Sequence, residues 1–181
     1  MTDFDYASER IFEHVNLAPE VKPITPETTT WDMYKRWANG DEEAARVLAI
    51  TGGASQMADD FVDGDVPEEK RSDVMSLLLI SLLVELPNNA FYQKYRVRLE
   101  PILCSSILMW NGSNKWVKGN EHDRRYAYVY RETMEQIIGI VALLTGGHAH
   151  AIRTNNEVHQ WFHGREAEAY AEWEREVTNE R

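Results

Sequence analysis

Residues 65–86 read DVPEEKRSDVMSLLLISLLVEL, a proline-containing acidic start followed by a long apolar run. Asp65 is suited to cap a helix, Pro67 falls in the first turn, and Glu68 stands three residues after Asp65, as in a capping box. The apolar run over 74–86 is shorter than the roughly 20 residues that cross a membrane. These features predict a helix of the protein core that begins near Asp65.

The leucines of this run make the core prediction specific. Leu78 and Leu82 are four residues apart and so share one helix face. We expect both of them, with at least one of Leu79 and Leu83, to be fully buried. Pro87 should then end the helix, because proline disrupts a helix interior.

Helix signals continue on the N-terminal side of this stretch. Asp3 can cap a first helix that runs to about Asn16. Residues 17–30 hold three prolines, which favours an extended arm or linker over a helix. Thr30 is placed to cap a short helix that Gly40 ends.

The next predicted helix carries two adjacent glycines. Residues 41–63 read DEEAARVLAITGGASQMADDFVD, with Asp41 in a capping position. Gly52 and Gly53 lie in the middle of this stretch. Because glycine destabilises a helix interior, we expect a kink or a break there.

A long helix is predicted after residue 87. Asn88 or Asn89 can cap it, and Pro101 should kink it. Residues 111–120 read NGSNKWVKGN, a polar stretch that predicts a loop.

The C-terminal third is also predicted to be helical. One helix should run over 121–145 and end or bend at Gly146 and Gly147. A further helix covers 148–163, and the charged tail over 165–181 is expected to be helical and mostly solvated.

The fold class follows from these signals together. No segment alternates apolar and polar residues in a β-branched run, so little or no sheet is expected. The chain of 181 residues suits one domain. We therefore predict a single all-α domain over 1–181, a bundle of about seven helices.

The charge of the chain disfavours several classes of partner. Lys and Arg number 19 against 30 Asp and Glu, which gives a net charge of −11. Such a surface repels phosphate backbones and anionic lipids, so general nucleic-acid binding and membrane association are not expected.

The cysteine content indicates the compartment. Cys104 is the one cysteine of the chain, so no internal disulfide can form. The N-terminal residues lack a basic region followed by an apolar one, and the two observations together predict a cytoplasmic protein. The apolar neighbours of Cys104 predict that its thiol is buried and inert.

The most informative polar segment lies at the end of the second predicted helix. Asp59, Asp60 and Asp63 fall near its C-terminus, where the helix dipole disfavours each carboxylate by about 0.3–1 kcal/mol. Their spacing of three and four residues makes them neighbours that repel one another unless a cation is present. Mg²⁺ prefers such oxygen ligands. A solvated acidic turn, with Asp65 as a helix cap, is the alternative interpretation.

A resemblance to a known family rests on this segment. Asp59-Asp60-Phe61-Val62-Asp63 resembles the first aspartate-rich motif, DDxxD, of the helical class I isoprenoid synthases. The flanking sequence over 57–71, MADDFVDGDVPEEKR, is also similar. The resemblance implies that the three aspartates bind Mg²⁺ ions that hold a substrate diphosphate. The chain has no second DDxxD and no N-D-x-x-S-x-x-x-E motif, so the resemblance implies a reduced or divergent relative.

A second polar set lies on the helix predicted over 121–145. Arg124, Tyr128, Arg131 and Glu135 follow the spacing i, i+4, i+7 and i+11, and Arg125 lies beside them. The three arginines could bind phosphate groups through their guanidinium N–H donors. The alternative is a solvated face of intrahelical ion pairs, with Arg131 and Glu135 as one pair.

Histidines cluster late in the chain, at 148, 150, 159 and 163. His159 and His163 are four residues apart, a spacing at which two imidazoles could share a metal ion. Surface histidines beside the aromatic residues Trp161 and Phe162 are the other interpretation, and the sequence leaves the role of this cluster open.

Two classes of function follow. The first is a Mg²⁺-dependent helical protein that binds a diphosphate-containing substrate, with ionisation or transfer at the diphosphate as its chemistry if it is an enzyme. An all-α nucleoside-triphosphate pyrophosphatase is a variant, although its paired E-x-x-E and E-x-x-D pattern is not apparent. The second is a non-enzymatic interaction protein whose proline arm, six tryptophans and charged tail contact a partner or a second copy.

Overall fold

The computed structural model describes residues 25, 27–163 and 170–179, and every regular element in these ranges is helical. The helices are α1 (Thr30–Trp37), α2 (Glu42–Asp63), α3 (Arg71–Ile80), α4 (Ala90–Trp116), α5 (Glu121–Tyr130), α6 (Gln136–His163) and α7 (Tyr170–Asn179). The predicted all-α, single-domain fold is confirmed. The number of about seven helices stays a prediction, because the first predicted helix, over 3–16, and most of the arm over 17–30 lie outside the described residues.

Turns of a different pitch flank α3. A 3-10 turn, Glu68–Lys70, precedes it, and a π-helical segment, Ser81–Glu85, and a last turn, Leu86–Asn88, prolong it. The helix therefore passes Pro87 and ends at Asn88, two residues after the predicted end at Leu86. There the chain bends by 103° into α4.

Polar side chains cap the starts of four helices. These caps are Thr29 for α1, Asp41 for α2, Asn89 for α4 and Asn120 for α5. The capping predictions for Asp41 and Asn89 are confirmed, and that for Thr30 is one residue too late. Each cap accepts a hydrogen bond from a backbone N–H that has no partner within the helix.

Asp65 does not cap the helix that follows it. Pro67 precedes the turn into α3 and makes no side-chain cap bond. The N–H of Asp65 donates instead to the carbonyl oxygen of Asp60 at 2.9 Å, and Gly64 is left-handed with φ 85°. Asp65 thus belongs to the turn that closes α2, so the predicted cap is wrong.

The two central glycines do not break α2. The helix runs continuously through Gly52 and Gly53. A Cβ atom on Gly52 would lie 2.5 Å from the hydroxyl oxygen of Tyr34 on α1. The predicted break is therefore wrong. Because Gly52 has no side chain, it permits a close contact between α1 and α2.

The loop predicted over 111–120 is mostly helical. α4 continues to Trp116, with Pro101 inside it, and only the last four residues of the predicted loop follow the helix. Ser113 is buried and donates from its hydroxyl to the carbonyl oxygen of Trp110 at 2.7 Å. Packing has overridden the weak helix propensity of this polar stretch.

The hydrophobic core lies where α1, α2, α4 and α6 meet. Trp37 of α1 and Leu99 of α4 have no exposed surface. Arg36 donates from Nε and Nη2 to the carboxylate of Glu157 at 2.8 and 2.7 Å, which joins α1 to α6. The other fully buried core residues are Met33, Ala38, Ala44, Ala45, Val47, Leu48 and Val141.

The apolar stretch over 74–86 is not the core helix that its composition predicts. Leu82 is 38% exposed, Leu79 48% and Leu83 69%, and Leu78 is only partly buried. Leu86 alone in this stretch is buried, at 5% exposure. The burial prediction is therefore wrong, because α3 packs on one side only and leaves its other sides open.

Cys104 is exposed, which contradicts its predicted burial. It lies on the outward side of α4, where Val97 is 87% and Leu108 62% exposed. Ile102 and Leu103 pack toward the core instead, while Ile107 and Leu108 share this open surface, so the apolar neighbours do not enclose the thiol.

Length and apolar character single out one membrane-span candidate among the described residues, Glu121–His163. The pair of helices over 68–116 would be a second candidate only if it formed one span in spite of its 103° bend. Core helices of soluble proteins meet the same criterion, and α6 contributes Ile137, Ile138 and Val141 to the core.

We predict that Leu99→Ala lowers the free energy of unfolding by about 2–5 kcal/mol, because it leaves a cavity in the core. Val129 on α5 is 65% exposed, so Val129→Ala should change the free energy by less than about 0.5 kcal/mol. Urea unfolding of both variants measures the difference. Equal losses would contradict this position of the core.

Candidate functional site

The long helix predicted over 121–145 is interrupted, and α4 holds the interruption in place. α5 ends at Tyr130, and a 3-10 turn, Thr133–Glu135, precedes α6. The hydroxyl of Ser106 donates to the carbonyl oxygen of Thr133 at 2.9 Å. The hydroxyl of Thr133 shares its proton between the carbonyl oxygens of Tyr130 at 3.0 Å and Ser106 at 3.3 Å. Both side chains are buried, so this reciprocal pair supplies polar partners where the helix is broken.

The interruption redirects the polar stripe that the sequence predicts. Arg131 Nε lies 3.4 Å from Glu132 Oε1, and Glu135 Oε1 lies 2.9 Å from Nε2 of His163 at the end of α6. Arg124 and Glu135 therefore stand on different segments, and the stripe does not continue as one helix face.

Two cavities lie between the C-terminal half of α2 and this turn. The first, of about 330 Å³, is lined by Asp59, Asp63 and Arg131, among others. The second, of about 490 Å³, is lined by Asp59 and Arg131 together with Glu132 and Glu135. Asp59 and Arg131 border both cavities, so carboxylates from two parts of the chain surround a region that contains one guanidinium group.

The aspartates of the DDxxD segment take different positions. Asp59 Oδ1 accepts a hydrogen bond from the indole N–H of Trp110 at 2.8 Å, which fixes this carboxylate beside α4. Asp63 lies one turn later and lines the smaller cavity. Asp60 does not line either cavity, and its Oδ1 accepts from the amide of Gln56 at 2.6 Å.

The predicted arginines separate in the same way. Arg131 is the one that borders the cavities, and its guanidinium carbon also lies 5.9 Å from the ring centre of Trp173. Arg124 pairs with Glu174 of α7 at 2.9 Å. Arg125 pairs with Glu121 on the same helix at 2.6 Å. The structure thus brings Asp59, Asp63 and Arg131 together and leaves Arg124 and Arg125 at the α5–α7 surface.

A second group of possible ligands lies at the interruption itself. One ligating atom from each of Glu132, Glu135 and His163 lies within 4.8 Å of the other two. Two carboxylates and an imidazole can hold a divalent cation. Glu132 and His163 were not predicted as parts of a joint site. Glu132 and Glu135 do have the E-x-x-E spacing, so the interpretation that the sequence lacks the paired pattern is wrong for that half of it.

The pKa of the Glu135 carboxyl lies far above the usual value for glutamate. Burial, and secondarily the nearby carboxylate of Glu132, raise the pKa of Glu135 to about 8. Near neutral pH this carboxyl therefore holds a proton in the absence of a cation. A cation bound beside it would lower that pKa and release the proton.

The remaining histidines are dispersed. His150 Nε2 lies 2.9 Å from the carbonyl oxygen of Trp37 and so contacts the core. His159 is exposed, with its ring centre 5.3 Å from that of His163. His148 is exposed near Gly147, whose φ of 73° produces the predicted bend. Among the four, His163 is the histidine that joins the glutamates.

Comparisons of the chain with protein-family models, with curated proteins and with solved structures find no match. The function is therefore inferred from the residues of the site and their geometry.

We predict that Glu135 makes the stability of the protein depend on pH. Its pKa is raised in the folded state, so its contribution is fully present below about 4.5 and is lost as the pH rises to about 8. Glu135→Gln should therefore flatten the fall in the free energy of unfolding between these values. Urea unfolding at a series of pH values measures this change.

Glu121→Gln is the control for that measurement, because Glu121 is an exposed glutamate paired with Arg125. It should keep the wild-type pH dependence over the same interval. A Glu135→Gln profile that matches the wild type would show that Glu135 titrates normally.

Proposed function

We propose that the two cavities bind a divalent cation, Mg²⁺ being the best suited, together with the phosphate groups of a diphosphate-containing ligand. The observation that supports this proposal is that Asp59, Asp63 and Arg131 line one cavity. A cation held by carboxylates and an arginine beside it are complementary to a metal-bound diphosphate. The volumes of about 330 and 490 Å³ are within the usual range for small-ligand sites.

Electrostatics explain why a cation is expected at the end of α2. Asp59 and Asp63 are four residues apart in the last turns of the helix, where the dipole is negative and the last turn contains no basic residue. A cation would neutralise both carboxylates. Mg²⁺ commonly uses one or two carboxylates and takes its remaining ligands from water and phosphate.

Glu132 and Glu135 extend the proposed site on its other side. They line the larger cavity, and with His163 they could hold a second cation. A pair of cations on two sides of a phosphate group would stabilise both the attacking and the leaving oxygen. If the protein is an enzyme, we propose a transferase or lyase that breaks a bond at the diphosphate, with the metal as Lewis acid.

Two ligand classes share the diphosphate group. The DDxxD resemblance favours an isoprenoid diphosphate and a divergent relative of the isoprenoid synthases. The glutamate pair at 132 and 135, opposite an aspartate pair on α2, favours a nucleoside triphosphate. Release of pyrophosphate can be measured with an isoprenoid diphosphate and with a nucleoside triphosphate. Release from only one of these substrates would identify the ligand class. A cytoplasmic location suits either ligand.

A non-enzymatic interaction protein is the second candidate. The exposed apolar side chains of α3 and α4 support it, because monomeric proteins rarely expose large apolar patches. The two candidates differ in one property: a solvated acidic turn would bind neither Mg²⁺ nor pyrophosphate.

We predict that millimolar Mg²⁺ with pyrophosphate raises the melting temperature of the wild type. A ligand at about 100 times its dissociation constant stabilises the folded state by about 2.7 kcal/mol. Asp63→Asn should abolish most of the shift, because it removes a metal ligand. Asp60→Asn is the matched control and should keep the shift, since Asp60 does not line the cavities.

A second matched pair tests the phosphate contact. Arg131→Gln should weaken pyrophosphate binding at least tenfold, whereas Arg124→Gln should leave it nearly unchanged, because Arg131 lines both cavities and Arg124 lines neither. Isothermal titration in the presence of Mg²⁺ measures both. The proposal fails if the folded wild type shows no Mg²⁺-dependent binding, or if the control variants lose binding equally.

A further inference from the structure

We propose that the open apolar surface of α3 and α4 binds a second copy of this chain, and that α3 of each copy lies in the groove between α3 and α4 of the other. This inference is independent of the cation site, because it rests on the shape, exposure and charge of a different surface.

The groove is lined almost wholly by apolar side chains. Leu78 of α3 and Leu82 of the π-helical segment that prolongs it form one wall, and Leu103 and Ile107 of α4 form the other. Small residues of α2 lie between the walls, namely Ala54, Ser55 and Ala58. The volume is about 320 Å³, and the walls diverge because the chain bends by 103° between the two helices. Small residues at its base allow another helix to approach closely.

The outward side of α3 has the pattern of a helix that fits such a groove. Leu77, Ile80 and Val84 follow a spacing of three and four residues and are 56%, 48% and 51% exposed. This spacing places apolar side chains in one seam, as in packed helix pairs. Leu83, 69% exposed, lies beside the seam. A helix that is apolar on nearly every side is normally covered on every side.

α4 continues the same surface. Val97, Pro101, Cys104 and Leu108 are all exposed and follow the spacing i, i+4, i+7 and i+11, which places them in one stripe. Ile107 borders this stripe and also lines the groove, at 53% exposure. The apolar surface therefore runs from α3 through the groove to the outer side of α4.

The amount of apolar surface matches that of a stable dimer. The large side chains that form it are Leu77, Leu79, Ile80, Leu82, Leu83, Val84, Val97, Ile107 and Leu108. At their exposed fractions these nine side chains together present on the order of 900 Å², against about 800 Å² per partner in a standard interface. The largest apolar patch of a typical monomer is about 300–600 Å².

Charge limits where a second copy can bind. The chain carries a net charge of −11, so two copies repel one another except across a surface without acidic groups. The seam of Leu77, Ile80 and Val84 is such a surface, because it contains no charged residue. On the α3 side a membrane is a poorer match, because residues 72–93 contain no lysine or arginine to contact anionic headgroups. Basic residues lie beside the surface at the start of α4, at Lys94, Arg96 and Arg98, and Arg96 pairs with Glu100 at 2.6 Å.

The groove adjoins the candidate cation site. Thr51, Ser55, Trp110 and Met134 line both the groove and the larger of the two cavities. Trp110 also donates to Asp59 from its indole N–H. A second copy in the groove would therefore cover the face of Trp110 that lines the groove, while the indole N–H of Trp110 holds the Asp59 carboxylate.

Sedimentation equilibrium of the full chain tests the proposal. The wild type should have twice the monomer mass of 21.0 kDa at micromolar concentration. Leu83→Glu and Leu108→Glu should each weaken dimerisation at least a hundredfold and give a 21.0 kDa species. Both side chains are exposed in the single chain, so circular dichroism should show unchanged helicity.

Val129→Glu is the matched control. Val129 is 65% exposed on α5, away from the groove, and this variant adds the same negative charge. It should remain dimeric. In parallel, maleimide should modify Cys104 more slowly in the wild type than in Leu83→Glu, because the second copy covers the α4 stripe.

A wild type of 21.0 kDa at every concentration would overturn the proposal, as would an oligomer that persists in both glutamate variants. Co-sedimentation of a monomeric wild type with phosphatidylcholine vesicles would assign the same surface to a membrane instead. Pyrophosphate binding is measured separately, so either proposal can fail alone.

Discussion

The reciprocal hydrogen bonds between Ser106 and Thr133 are the constraint on which the candidate site depends. They hold α4 against the point where the helix predicted over 121–145 is interrupted. A continuous helix would keep Arg131 and Glu135 on one face, four residues apart. The interruption places Arg131 beside the α2 cavities and directs Glu135 toward His163. Because Ser106 is buried, its hydroxyl would be costly to leave without a partner, which favours this arrangement.

The burial of apolar side chains does not follow the apolar content of the helices. The most apolar stretch of the chain, over 74–86, is largely exposed, whereas the less apolar α1 carries the buried Met33 and Trp37. Burial depends on how many sides of a helix other elements cover. α1 lies against α2 and α6, while α3 has a neighbour on one side only. The uncovered sides of α3 are the physical basis for the proposed dimer.

Much of the fold was predictable because its signals are local. Asp41 and Asn89 cap helices through hydrogen bonds to residues three positions later, so their role can be read from the sequence. The same holds for the bend at Gly147. The predictions that fail concern distant contacts. The need for glycine at position 52 comes from its contact with Tyr34 of another helix. The exposure of Cys104 depends on which side of α4 remains uncovered.

For the site, the sequence by itself determined that carboxylates crowd the end of α2, since a spacing of three and four residues on a helix brings side chains together. Only the tertiary structure decided which of them face a common cavity. Asp59 and Asp63 do, and Asp60 does not, because α4 and α5 cover one side of α2 only. Arg131, which lines that cavity with them, lies about seventy residues away in the chain, and no local pattern encodes a contact over that separation.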